Sequence, residues 1–225
     1  MSAKFPHVAD IPRARRALVD VCKLMHQRNY IVSGDGNVSV RIGDNRMLVT
    51  PSGARKAFMR PEDMVVCDLQ GTPVRGERGR PSSEIPMHVA VYEERPDVRA
   101  VVHAHPPAAI AHTIAGVELG VPLMPEAYCA LGDVMTIPYT TPTTHQVPDA
   151  LREPIRTRCA VIMERHGTIT TGETLAVAYD RLEVLEHTAK ISLMARALSP
   201  TGRIEGLQER QLDQLRVFLG CGMGC

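Results

Sequence analysis

The stretch Val101-Val102-His103-Ala104-His105-Pro106-Pro107 carries two histidines two residues apart, at the end of an apolar run. Such a run reads as a buried strand, and on a strand residues i and i+2 point to the same face. The two imidazoles can therefore converge on one metal ion. Pro106 and Pro107 cannot donate to a ladder, so the strand should stop there and leave both rings at its end, where a loop opens. By itself His-Ala-His is weak evidence, because histidines so spaced are more often core or surface residues. His166 adds to it. It lies in Glu164-Arg165-His166-Gly167, just beyond the apolar run Cys159 to Met163, and Gly167 allows a tight turn behind it. Three histidines at strand ends could complete the three-ligand shell of an open catalytic zinc site. Neutral imidazole suits Zn²⁺ and other late first-row metals. No cysteine pair has structural-zinc spacing, which favours a catalytic site over a structural one.

Glu84 sits in Pro81-Ser82-Ser83-Glu84-Ile85-Pro86-Met87-His88, in the first turn of an expected helix. Compensation of the helix dipole explains a carboxylate there without any function. The chemical alternatives are a base beside the metal or a displaceable fourth ligand. His88, one turn on, reads as structural, packed or hydrogen-bonded. Three turns combine Gly, Ser, Thr or Asn: Gly34-Asp35-Gly36-Asn37, Thr50-Pro51-Ser52-Gly53 and Ser82-Ser83. Backbone N–H groups in such turns and at helix N-termini form anion nests. Each alone is an ordinary turn, but if the three converge a phosphate dianion fits.

The elements that must position these residues follow from periodicity. Arg13 to Arg28 carries a helical stripe of Leu18, Val21, Cys22 and Met25. Val38, Val40 and Ile42 alternate with polar residues as a half-buried strand does. Asp44-Asn45 marks a hairpin turn, with Met47 to Thr50 returning. Val65 to Leu69 is a further strand. Ser82 or Ser83 can cap a helix running to about Arg95. Val98 to His105 is the histidine strand, and Pro107 to Ala115 a short helix. Val134 to Tyr139 and Cys159 to Glu164 read as strands around a polar helix, Gln146 to Arg156. Thr171-Gly172-Glu173 opens the longest helix, to about Leu198, and Leu207 to Leu219 forms the last. Hairpin-joined early strands argue for a largely antiparallel sheet covered by helices, α/β in the broad sense.

The 225 residues suffice for one sizeable core, so residues 1–225 read as a single domain, with 200–225 as a C-terminal helix and a Cys/Gly tail. A net charge of +1 gives no reason to expect nucleic acid or an anionic membrane as partner. No apolar run approaches the roughly 20 residues of a membrane span, and Met1 to Asp10 lacks the apolar core of a secretory signal. Lysine is confined to Lys4, Lys23, Lys56 and Lys190, which leaves few candidates for a Schiff base. Cys22, Cys67, Cys129 and Cys159 lie among apolar residues and read as reduced core thiols of a cytoplasmic protein. Cys221 and Cys225 could bind a soft metal or pair, or simply fray with the terminus.

Gly36-Asn37-Val38-Ser39, Thr50-Pro51-Ser52-Gly53, Ser82-Ser83-Glu84, His103-Ala104-His105 and His166-Gly167, in this order and spacing, form a pattern that resembles the class II, zinc-dependent aldolase/adducin-like family. The similarity is greatest to its L-fuculose-1-phosphate aldolase group and runs from about Val8 to Leu198. The resemblance implies a three-layer sandwich: a central, mainly antiparallel sheet flanked by helices. It also implies a homotetramer with active sites between subunits. The metal, Zn²⁺ or another divalent ion such as Mn²⁺ or Co²⁺, would sit on His103, His105 and His166, with Glu84 as acid/base and as ligand when substrate is absent. A substrate phosphate would lie among Asn37, Ser52, Gly53, Ser82 and Ser83. The implied reaction is reversible cleavage of a ketose 1-phosphate, of fuculose, 5-deoxyribulose or 5-methylthioribulose type, to dihydroxyacetone phosphate and an aldehyde. Related epimerases carry Asp where Glu84 stands. A decarboxylase of the same fold would use the same ligands, and an adducin-like assembly module would need none of them. Two positions depart from the pattern. Glu126, with Tyr128 two residues on, falls where the family's proton-donating tyrosine is expected. Phe218, without a hydroxyl, falls near its tail tyrosine.

Overall fold

Alternation decides how the sheet is covered. Val38, Val40 and Ile42 of β1 (Asn37–Ile42) face one side, together with Ala100, Val102 and Ala104 of β4 (Ala100–Ala104). There they meet Leu18, Cys22 and Met25 of α1 (Ile11–Gln27) and Ala178 and Leu182 of α6 (Leu175–Leu198). On the other side Val101 joins Met47 and Val49 of β2 (Arg46–Val49) and Ile169 of β7 (Gly167–Gly172). They pack under Met87 and Val91 of α2 (Ile85–Glu94) and Leu151 and Ile155 of α5 (Gln146–Ile155). Each fully buried Leu or Ile of these layers contributes about 1.5–3 kcal/mol. The structure, a computed structural model, describes residues 10–220; the Cys221 and Cys225 expectation lies outside them.

The sheet has seven strands in the order β3-β2-β1-β4-β7-β6-β5, completed by β3 (Val65–Asp68), β5 (Met135–Ile137) and β6 (Ala160–Met163). Every pairing is antiparallel except β5 with β6. The remaining helices are α3 (Pro107–Ile114), α4 (Pro125–Leu131) and α7 (Glu209–Leu219). The expected α/β sandwich is thus observed.

Several local expectations need correction. Gly167–Gly172 is a strand, where periodicity started a helix at Thr171. Its Thr168, Thr170 and Thr171 are buried, so β-branched packing inside the sheet outweighs their polarity. The helix begins only at Leu175, with Thr174 accepting from the Val177 N–H as N-cap. Pro125–Leu131 is a helix that the pattern did not indicate. Glu84 is the N-cap residue of α2 rather than part of its first turn, and neither Ser82 nor Ser83 caps the helix. Two polar residues of β1 do not face solvent: Asn37 and Ser39 are 1% and 0% exposed, beneath α2. Finally, Cys129 and Cys159 are disulfide-bonded, while Cys22 and Cys67 are free and buried. Apolar surroundings say that a thiol is buried but not whether another sulfur approaches it, so the reduced-thiol argument fails for half of the set.

Candidate metal centre

His103 is the fourth residue of β4, on the α2 side of the sheet and fully buried. Its Nδ1 donates to the Thr168 carbonyl at 2.9 Å, which leaves Nε2 as a bare lone pair aimed into the site. His105 lies just beyond the strand, where its N–H donates to the Tyr30 carbonyl at 2.8 Å. Its Nε2 stands 3.0 Å from His103 Nε2. His166 occupies the turn between β6 and β7, after Arg165, whose φ of 56° is left-handed. The three ring centroids lie 4.9, 4.9 and 5.3 Å apart, and one nitrogen from each lies within 4.8 Å of the others. Gly167 makes this approach possible. A Cβ there would stand 2.3 Å from the Ala104 carbonyl, 2.7 Å from His105 Cδ2 and 3.1 Å from His103 Cε1.

Glu84 closes the cluster. Its Oε1 accepts from His166 Nε2 at 3.1 Å, and its Oε2 lies 3.5 Å from His103 Nε2. The same Oε2 accepts from Asn37 Nδ2 at 2.8 Å. Burial would raise the Glu84 pKa. The hydrogen bond from His166, the electrostatic pull of His103 and His166, and the Asn37 amide together outweigh it and hold the carboxyl well below its usual range. Burial acts the other way on His103 and His105, disfavouring their cationic forms and leaving them neutral, the state that ligates metals.

The donor set fits a divalent cation. Asp35 Oδ2 lies 3.7 Å from His105 Nδ1 and favours the proton on that nitrogen. With His103 protonated at Nδ1 as well, two bare Nε2 lone pairs then face each other, an arrangement that a cation stabilises. The buried His166 Nδ1 has no hydrogen-bond partner among the described residues. A carboxylate and three imidazoles are also the ligand types that Zn²⁺ takes in open sites.

The three turns meet beside this cluster. Pro51 bridges Pro81, Ser52 N–H donates to the Arg80 carbonyl at 2.9 Å, and Ser82 N–H donates to the Thr50 carbonyl at 3.1 Å. Buried Lys56 ties the first turn to the second, its Nζ donating to the carbonyls of Gly34 at 2.8 Å and Ala54 at 3.0 Å. Ser82 Oγ accepts from the Glu84 N–H. A cleft beside Glu84 is lined by Ser83, Met87, Thr143, Thr144 and Val147, so the loop before α5 borders the site, which the sequence did not signal.

Residues 16–193 match the class II aldolase and adducin N-terminal domain. The chain belongs to this family. It is 32% identical to the L-fuculose phosphate aldolase of Methanococcus vannielii, over 79% of this chain and 94% of that protein. At the same 32% it resembles the 3-oxo-tetronate 4-phosphate decarboxylase of Haemophilus influenzae, over 79% of this chain and 85% of that one. The 5-deoxy-D-ribulose 1-phosphate aldolase of Bacillus thuringiensis is 31% identical, over 94% of this chain and 98% of its own. Among solved structures, YgbL of Klebsiella pneumoniae superimposes with a TM-score of 0.83 at 27% identity, covering 92% of this chain and 99% of that one.

The remaining expected site residues fall elsewhere. Glu126 and Tyr128 are on α4, and among the described residues neither bonds to the histidines or to Glu84. Glu126 is exposed. Tyr128 is buried against Leu212 of α7, and its hydroxyl accepts from Arg216 Nε at 2.9 Å. Phe218 is exposed at the end of α7. The sequence singled out Asn37 for a phosphate and His88 as packed or hydrogen-bonded, but not their link to Glu84, and it did not single out Ser39 or Tyr92. Asn37 Oδ1 accepts from His88 Nε2 at 2.5 Å, and His88 Nδ1 and Tyr92 Oη lie 2.7 and 2.8 Å from Ser39 Oγ. The signal for Ser39 was the polar face of β1, read as solvated.

Proposed function

We propose that this protein is a metal-dependent carbon–carbon lyase that reversibly cleaves a ketose 1-phosphate to dihydroxyacetone phosphate and an aldehyde. The observation that carries this reading is the convergence of three imidazole nitrogens within 4.8 Å, with the Glu84 carboxylate laid against two of the rings. A non-catalytic module has no physical need for a half-buried carboxylate among three clustered histidines. Bound to His103, His105 and His166, with Glu84 as displaceable fourth ligand, a divalent ion (zinc, manganese or cobalt) supplies Lewis-acid stabilisation of charge on the substrate oxygens.

The protein's own groups do the rest. In the condensation direction Glu84 takes the proton from the phosphate-bearing fragment, and in cleavage it returns that proton. A positioned base of this kind contributes about 10²–10⁴-fold. Ser52, Gly53, Ser82 and Ser83 hold the phosphate, the part of the substrate that does not react, and so orient the bond that does. The Asn37 amide already gives one hydrogen to Glu84 and offers its second to substrate. Glu126, from a neighbouring subunit of a homotetramer, serves the aldehyde oxygen. Its exposure suits it better than Tyr128, which is packed under α7. Phe218 in place of a hydroxyl points to a less polar aldehyde end, as in 5-deoxy- or 5-methylthio-ribulose 1-phosphate. The B. thuringiensis relative supports that direction. A cytoplasmic setting belongs to the same reading; among the described residues no helix is long and apolar enough to cross a membrane.

A second reading, decarboxylation of a phosphorylated 3-oxo acid, is favoured by the H. influenzae relative at equal identity. One screen separates them: phosphorylated ketoses assayed for dihydroxyacetone phosphate, and phosphorylated 3-oxo acids for carbon dioxide, each with and without chelator. Chelator-sensitive triose release is expected. Carbon dioxide release alone would replace the aldolase assignment with the decarboxylase.

A further inference from the structure

The α2 side of β1 holds a line of buried polar groups that ends on Glu84. Its members come from one strand and one helix: Tyr92, Ser39, His88 and Asn37, in that spatial order. His88 and Ser39 are 0% exposed and Asn37 is 1% exposed, so no water replaces a partner that one of them loses. The directions of the hydrogen bonds follow from the end of the line. Glu84 is a carboxylate and can only accept, so the Asn37 amide must turn its NH₂ toward it. That turn leaves Asn37 Oδ1 facing His88 Nε2, which must then carry the ring proton. A buried neutral imidazole protonated at Nε2 is bare at Nδ1, so the Ser39 hydroxyl must donate to it. The Ser39 oxygen then accepts from the Tyr92 hydroxyl. Each of the four bonds has one donor, and all four run the same way.

We infer that His88 is a positioning residue for Glu84. By holding a single tautomer, it fixes the Asn37 amide against rotation and so fixes one oxygen of Glu84. Without that constraint Asn37 can rotate its carbonyl toward Glu84, where oxygen would face oxygen and push the carboxylate out of line. The inference rests on the proposed role of Glu84 for its kinetic half. Its tautomer half stands on the hydrogen bonds alone.

The test therefore has two arms. In chelator-treated protein, nitrogen NMR of ¹⁵N-histidine-labelled material should show His88 protonated at Nε2 and bare at Nδ1. An Nδ1-protonated His88 would overturn the inference, whether or not the protein is an aldolase. In the assay, His88→Phe should lower kcat by about 10–100-fold, the range seen when a group that orients a ligand is lost, with little change in KM. His88→Gln restores a donor toward Asn37 and should recover most of the loss. Tyr92→Phe leaves the Ser39 proton free to donate and should cost only about two- to threefold. Wild-type kcat in a folded His88→Phe protein would overturn the positioning role. If no substrate turns over in wild type, the proposed function falls, and the NMR arm still decides the tautomer.

Discussion

Glu186 is buried and Glu84 half-buried, and the surroundings of these two carboxylates have little in common. Glu186, on α6, is fully buried and accepts from the backbone N–H groups of Ala108 at 3.1 Å and Ala109 at 3.0 Å, at the start of α3, with Lys190 Nζ 3.5 Å away. Glu84 faces two imidazoles and a carboxamide instead. Both positions need an anion. The hydrogen-bond donors to Glu186 are main-chain groups that cannot leave, and the Lys190 ammonium beside them balances its charge. The groups around Glu84 are side chains with lone pairs or protons to give. Burial of a carboxylate therefore does not mark a reactive site; the kind of partner does. The same contrast runs through two buried histidines that each meet a serine. His112 Nδ1 donates to the Ala108 carbonyl, and its Nε2 meets Ser192 Oγ at 2.9 Å, which ends the line in backbone. His88 passes its bond on to Asn37 and Glu84.

The sharpest break of this contrast is at the histidines. Chelation, or His103→Ala, should remove both bound metal and turnover, and elemental analysis beside the assay checks that the two go together. Next comes Glu84→Gln, which should retain metal on the three histidines and lose about 10²–10⁴ in kcat. Normal turnover would show that Glu84 is not the base. Glu186→Gln is the counterpart. It replaces one acceptor oxygen with a donor beside two N–H groups, so it should cost about 1–3 kcal/mol of stability in urea melts. It should leave kcat within about twofold of wild type, because Glu186 bonds to neither the three histidines nor Glu84. Gly167→Ala tests the approach of the rings. The added methyl should cost about 1–3 kcal/mol by overpacking and weaken metal retention as well.

The last break is a pH dependence. Burial lowers the His88 pKa from 6.5 to about 4. The unfolded chain then binds the proton that the folded one refuses, so stability rises with pH across that window. In metal-free protein, the His88 contribution should be fully present above about pH 6.5 and decline toward pH 4 by about 3 kcal/mol. His88→Phe should flatten that part of the curve in denaturant titrations. An unchanged slope would place the titration on another group.

How much of this was legible depended on whether the information was local. His103, His105 and the strand that carries them read directly, because period-2 geometry and the Pro-Pro stop lie within seven residues. His166 and Glu84 were legible as candidates, but their meeting followed only from the family resemblance, since it depends on the β4·β7 register and on where α2 lands. The β7 strand was obscured by its threonines, although Gly-Thr-Ile-Thr-Thr-Gly is rich in β-branched residues between turn formers. The polar residues of β1 were misjudged for a similar reason. Alternation shows that two faces differ, not which medium each one meets, and the partners that bury Asn37 and Ser39 lie on a helix some fifty residues away. The disulfide-bonded state of Cys129 and Cys159 had no local signal at all.

The sheet order has a consequence for how the molecule folds. Strands β1 to β4 complete one side of the sheet from the first half of the chain, while β5 to β7 come from the second half, and the two join only along β4 and β7. That seam pairs His103 with Ile169 and Ala104 with Thr168, so the centre does not exist until this long-range contact has closed. A half-built chain therefore presents scattered histidines and no high-affinity site. On the proposed function, metal uptake would be a readout of finished folding, and a bound ion would stabilise only chains that have zipped the two halves together.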